Sequence, residues 1–212
     1  MMNDLREESI ETRTHGRMLV RDGNPRLVLV GFHGYAENAD RAMADLLRLP
    51  GVENWTLVAI QGLHRFYNNR TREVIASWMT SQNREQLLAD NIEYVRRAVT
   101  VLGNPEVLVF SGFSQGTAMA YRAAAHVPAT ALLILGGDLP DDVQTPLPLT
   151  LIGRGTGDEW FTAEKLDRDV ARLRSLAKEV RTLVYEGGHE WSDAYRQAAS
   201  ELLQEVRAAR NL

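Results

Sequence analysis

Residues 107–126 read Val107-Leu-Val-Phe110-Ser-Gly112-Phe113-Ser114-Gln115-Gly116-Thr-Ala-Met-Ala-Tyr-Arg-Ala-Ala-Ala-His126. The run Val107 to Phe110 is apolar and β-branched at both ends of its core, the pattern of a strand buried on two faces. The segment from Ser114 to His126 is Ala-rich and helical. Between them lies Gly-x-Ser-x-Gly. A strand that turns directly into a helix bends so sharply that the residues two before and two after the serine have no room for side chains, which accounts for Gly112 and Gly116. The turn lifts the Ser114 hydroxyl above the sheet edge and aims a helix N-terminus, with its partial positive charge, at the same point.

Outward from this unit, short apolar runs alternate with helix-period segments. Arg26 to Gly31, Trp55 to Ile60, Ala131 to Leu135, Leu147 to Ile152 and Arg181 to Tyr185 read as strands. Arg17 to Arg21 reads as a partner strand of Arg26 to Gly31, joined to it through the turn-formers Asp22-Gly23-Asn24-Pro25. Ala39 to Leu49, Asn83 to Leu102, Thr162 to Lys178 and Ser192 to Ala209 carry helical spacing. Parallel strands require crossovers, so this alternation predicts an α/β fold with a mostly parallel sheet and helices on both faces. With no repeat or linker in 212 residues, the reading is one domain spanning 1–212.

The composition excludes several classes. There is no cysteine, hence no disulfide framework, thiolate metal site or cysteine nucleophile. The net charge of -4 and arginines scattered among acids argue against a nucleic-acid stripe. No run approaches the ~20 apolar residues of a membrane span, and the polar, acidic start does not resemble a signal peptide. The expectation is a soluble cytoplasmic protein without nucleic-acid or membrane partners.

Ligands of such sheets bind beyond the carboxyl ends of the strands, so the residues immediately after each strand matter most. A serine hydroxyl needs a base, usually a histidine oriented by a carboxylate. His15 lies in a polar N-terminal stretch, His126 at the far end of the helix begun by Ser114, and His64 in a long connection ahead of every candidate acid. His189 follows the last strand in Glu186-Gly187-Gly188-His189-Glu190-Trp191 and is the candidate base. Asp158, in Gly155-Thr-Gly-Asp158-Glu159, is the favoured acid, with Glu159 and Asp138 as competitors. The order Ser, Asp, His is that of α/β-hydrolases. After the strand Arg26 to Gly31 comes Phe32-His33-Gly34-Tyr35, where such enzymes supply one oxyanion-hole amide. The two candidate donors are the backbone N–H groups of Tyr35 and Gln115.

Taken together, His33-Gly34-Tyr35, Gly112-Phe-Ser-Gln-Gly116, Gly155-x-x-Asp158 and Gly187-Gly-His-Glu-Trp191 resemble the phospholipase/carboxylesterase family of α/β-hydrolases, which includes acyl-protein thioesterases and small bacterial carboxylesterases. The resemblance runs from about Arg26 to the C-terminus. It implies a Ser114–Asp158–His189 triad, a carboxylesterase- or lysophospholipase-like activity, and no metal or organic cofactor. The chain departs from the family where Ala36-Glu37-Asn38 stands in place of a common Asp, and where Glu159-Trp160-Phe161 replaces a frequent Val-Pro.

The expected substrate is a small-molecule ester or thioester of a short- to medium-chain acyl group. The stretch Gln61 to Gln82 reads as a long functional loop. Its Phe66, Tyr67, Trp78 and Met79, with His33 and Trp191, are the candidate substrate-binding residues, and Arg65, Arg70 or Arg72 could meet an anionic group. Core packing is an equal reading for Trp78 and Met79. The alternatives are a non-catalytic binder or sensor on the same fold and an acyltransferase. A homodimer is left open.

Overall fold

The computed structural model describes residues 5–212. Its strands are β1 (Arg17–Arg21), β2 (Asn24–Phe32), β3 (Trp55–Gln61), β4 (His64–Tyr67), β5 (Val74–Ser77), β6 (Val107–Phe113), β7 (Ala131–Leu135), β8 (Leu149–Gly155) and β9 (Val180–Tyr185). The helices are α1 (Ala39–Leu47), α2 (Arg84–Val101), α3 (Gln115–His126), α4 (Ala163–Leu176) and α5 (Asp193–Ala208). Seven strands form one sheet in the order β1-β3-β2-β6-β7-β8-β9. All its pairings are parallel except β1 with β3.

Alternation along the strands divides the core in two. Val28, Val30 and Phe32 face a layer that takes Val95 and Val99 of α2, Met119 and Tyr121 of α3, and Leu166 and Leu173 of α4. Leu27 and Leu29 face the other way, onto Met43 and Leu46 of α1 and Tyr195, Leu202 and Leu203 of α5. Three helix N-termini are closed by side chains: Asn38, Thr162 and Ser192 accept from the backbone three residues on.

Two sequence expectations are corrected. The β1 strand does not pair with β2, because both edges of β2 are taken by the parallel neighbours β3 and β6. It crosses over and pairs antiparallel with the outer edge of β3, from Arg17 opposite Gln61 to Arg21 opposite Leu57. The stretch from Gln61 to Gln82 is not a structureless loop. It folds into the separate β4–β5 hairpin, His64 opposite Ser77 and Tyr67 opposite Val74. Its turn is held by Asn68 Oδ1, which accepts from the amides of Arg70 and Thr71.

The chain leaves β2 toward β3 on one side and returns to β6 on the other, so the carboxyl ends of β2 and β6 flank the point where the strand order reverses. That crevice is where open α/β sheets bind ligands. Among the described residues, no helix is long and apolar enough to cross a membrane.

Candidate active site

Ser114 follows β6 and caps α3 with φ 53° and ψ -121°, a left-handed conformation that a non-glycine residue adopts only under constraint. The constraint is packing. A Cβ on Gly112 would meet Gly116 O at 2.5 Å, and one on Gly116 would collide with the carbonyls of Phe32 and His33. Strand, turn and helix therefore close on one another only with glycine at both positions. The Ser114 amide donates to Leu135 O at 2.9 Å, and its carbonyl accepts from the amide (3.0 Å) and hydroxyl (2.7 Å) of Thr117. Every polar backbone atom of Ser114 is thus tied down, while its hydroxyl has no hydrogen-bond partner among the described residues.

His189 and Asp158 come together across β8 and β9. His189 Nδ1 lies 2.8 Å from Asp158 Oδ2, and Asp158 Oδ1 accepts from the amides of Trp160 and Phe161, each at 2.9 Å. The carboxylate is buried and both its oxygens are hydrogen-bonded, which suits a charge held out of water. The two loops are also joined backbone to backbone, Thr156 N to Tyr185 O and Gly157 N to Gly187 O, both 2.8 Å. Gly155 is where they touch, since a Cβ there would collide with the carbonyls of Gly187 and Gly188. The phenol of Tyr185, buried beside the charges of Asp158 and Glu190, is pushed up to about 12 and stays a donor, to Glu190 O.

The histidine reaches back to the serine turn through Phe113, whose ring centroid is 4.9 Å from that of the imidazole. Gly136, at φ +67°, forms the floor: a Cβ there would stand 3.0 Å from His189 Cε1 and 3.3 Å from Asp158 Oδ2. On the other flank, the Gly34 backbone sits against the nucleophile, where a Cβ would be 3.3 Å from Ser114 Cβ. The amides of Tyr35 and Gln115 have no partner among the described hydrogen bonds. The Gln115 amide is one of the orphan donors of the α3 N-terminus.

The competing acids stand elsewhere. Asp138 is engaged by Lys165 Nζ (3.3 Å) and Arg168 Nη2 (2.8 Å), and Glu159 is exposed. Of the candidate substrate-binding residues, Phe66 (39% exposed) and Tyr67 (60%) are open to solvent, and the Phe66 ring meets that of Tyr35 (61%) at 6.2 Å. Tyr67 instead carries the Arg72 guanidinium over its face, and Arg65 is held by His15 O. Trp191 is half-buried against Phe113 and Tyr195. Trp78 and Met79 are buried, and the Trp78 indole donates to His33 O at 2.9 Å.

His33 is also interior. Its Nε2 accepts from Gly62 N at 2.9 Å and its Nδ1 lies 2.6 Å from Gly34 O, so it joins the ends of β2 and β3. Burial lowers its pKa to about 4. The folded state therefore binds the proton more weakly than the unfolded chain does. The stability this contributes is fully present above about pH 6.5 and is lost as pH falls toward 4, by about 3 kcal/mol. Urea unfolding of the wild type and His33→Gln across pH 4–7 checks this. The stability gap between them is expected to narrow as pH falls, and parallel curves would contradict it.

Sequence reasoning missed three supports. Arg154, buried in β8, donates to the carbonyls of Phe161 (2.8 Å), Thr156 and Asp158 (3.2 Å each) and so shapes the acid loop. The Gln115 side chain accepts from Trp78 N at 3.0 Å and donates to Met79 O at 3.2 Å, clamping the serine turn to the end of the hairpin. Glu37 accepts from Gly34 N. Only the Gly136-Gly137 pair after β7 was a visible signal of the floor. No group of three or more His, Asp or Glu side chains suited to a metal ion occurs among the described residues. A cleft of about 390 Å³ near Gly103 and Pro128 opens at the opposite, amino-terminal edge of the strands.

No family model and no curated protein matches the chain by sequence. Solved structures do match. Zea mays acyl-protein thioesterase 2 is similar with a TM-score of 0.74 at 17% identity, over 91% of this chain and 99% of that one. The Bacillus cereus carboxylesterase follows at 0.70 and 14% identity over 90% and 94%. A carboxylesterase from Mesorhizobium loti gives 0.70 and 20% over 89% and 93%. At such identities the likeness speaks to architecture, and it does so over nearly the whole chain: this is an α/β-hydrolase fold.

Proposed function

We propose that the protein is a serine hydrolase that cleaves carboxylic esters or thioesters of short- to medium-chain acyl groups through an acyl-enzyme. The observation that carries this reading is a Ser114 hydroxyl free of hydrogen bonds, on a strained turn, at the same sheet edge as a buried aspartate in contact with a histidine. A binding protein has no need to bury a carboxylate against an imidazole. The esterase and thioesterase character of the structural neighbours points the same way.

In this mechanism Asp158 holds the proton of His189 on Nδ1, leaving Nε2 free to accept. As Ser114 Oγ attacks the carbonyl carbon, its proton passes to His189 Nε2, and Asp158 stabilises the imidazolium. The carbonyl oxygen becomes an oxyanion held by the Tyr35 and Gln115 amides, an arrangement in which one donor typically contributes about 3–4 kcal/mol to lowering the barrier. His189 returns its proton to the departing alkoxide or thiolate. Water then attacks the acyl-enzyme with the same proton relay, releasing the acid and restoring Ser114. The exposed Tyr35 and Phe66 rings form an apolar wall beside this point for a short acyl or alcohol group.

The test is intact mass after incubation with a fluorophosphonate, followed by peptide mapping. A single adduct on Ser114 is the expected result, because only an activated serine displaces the fluoride. A folded protein that takes up no adduct would overturn the assignment.

A further inference from the structure

The turn that carries Tyr35 is held by a carboxylate that the proposed chemistry leaves unused. Glu37 Oε2 accepts from Gly34 N at 2.8 Å, and Glu37 N donates back to Gly34 O at 3.3 Å. The turn is anchored to the hairpin through Ala36 N to Ala76 O (3.0 Å) and Ala76 N to Glu37 O (2.7 Å), with Ala36 at φ 58°. Of the two consecutive amides in this turn, Gly34 N–H is therefore consumed by the carboxylate, and Tyr35 N–H is left without a partner beside Ser114.

The carboxyl group also borders a small internal space. Glu37 lines a cavity of about 10 Å³, room for one water, together with Phe113 and Trp191. The charged and titratable groups facing it are Asp45 and Arg41 from α1 and His189 from the loop after β9. Burial raises its pKa from the usual carboxylate range and Asp45 adds to this, while the Gly34 amide, Arg41 and His189 act in the opposite sense.

We propose that Glu37 is a positioning residue of the hydrolytic site: its carboxylate pins Gly34 N–H so that the Tyr35 amide is presented to the oxyanion. This rests on the hydrolase reading above. A glutamine keeps an oxygen acceptor at the same reach and discards the charge, whereas an alanine discards both. The two substitutions therefore separate the pinning from the electrostatics.

Wild type, Glu37→Gln and Glu37→Ala are compared on a short-chain p-nitrophenyl ester from pH 5 to 9, with thermal unfolding as a check of the fold. Glu37→Ala is expected to lower kcat roughly 10- to 100-fold, a partial loss of one oxyanion donor, with KM within about twofold. Glu37→Gln is expected to recover most of kcat. A Glu37→Ala enzyme with wild-type kcat overturns the proposal while leaving the hydrolase reading standing. If the alanine variant does not fold, Glu37→Asp decides: its carboxylate is one methylene short of Gly34 N, and wild-type kcat in it overturns the proposal. A wild type that neither hydrolyses esters nor takes the fluorophosphonate overturns both.

Discussion

Ser114→Ala is expected to lower kcat for an activated ester by about 10⁶-fold, close to 8 kcal/mol of barrier, while leaving the protein as stable as the wild type. The two halves of this expectation have separate causes. Loss of the nucleophile removes the covalent route altogether, and the residual rate is what oriented amides and bound water can supply. Stability is spared because the Ser114 hydroxyl makes no hydrogen bond among the described residues, so its removal strands no buried partner. The backbone contacts of residue 114 to Leu135 and Thr117 persist in alanine, and the strain of φ 53° is common to both side chains. Turnover measured beside a urea denaturation curve checks the result. Retained esterase activity in the variant would remove Ser114 from the mechanism.

Asp158→Asn is expected to cost about 10⁴-fold in kcat without removing any heavy atom from the site. The local hydrogen bonds dictate why. Oδ1 of residue 158 accepts from the amides of Trp160 and Phe161, and an asparagine oxygen takes that position because its amide nitrogen could not accept. The nitrogen is then turned to His189 Nδ1, 2.8 Å away in the wild type. A donor there forces Nδ1 to accept and moves the imidazole proton to Nε2, the atom that has to take the proton from Ser114. The imidazole is left in place with the wrong tautomer. Single-turnover acylation kinetics is the readout: acylation should slow by the full factor with KM little changed. A loss of tenfold or less would argue that another group orients His189.

The pairs of glycines in the chain show what a linear reading can reach. Gly112 and Gly116 bracket Ser114 at fixed spacing, and the need for space at Gly112 is local, against Gly116 and Thr117, so the sharp turn was legible from residues 107–126, although what crowds Gly116 is the distant end of β2. The same holds for Gly187 and Gly188 ahead of His189 and for the alternation of apolar strands with helical segments. Each rests on the conformational preferences of adjacent residues, and each reappears in the structure within a few residues of its expected bounds.

Pairing across the sheet was not legible in this way. The turn Asp22-Gly23-Asn24-Pro25 signalled a change of direction, but whether β1 lies on β2 or β3 depends on β6 having already occupied the free edge of β2. The hairpin was hidden because His64 to Tyr67 and Val74 to Ser77 are short, and their connection from Asn68 to Glu73 carries no glycine. Its position fixes the exposure of Phe66 beside Tyr35.

By itself, then, the sequence determined the α/β alternation, the serine turn and the identity of the residues that follow each strand, because all of these are set by the sterics and hydrogen-bonding capacity of near neighbours. Only the tertiary structure decided which of them meet. Asp158 stands against His189 while Asp138 is drawn away to Lys165 and Arg168. His33 and Trp78 are interior and Tyr35 is exposed. Glu37 and Arg154 hold the two loops from beneath. The physical reason is the same in each case: a polar group taken out of water must find a partner, and the partners available to it are brought by strands distant in the chain.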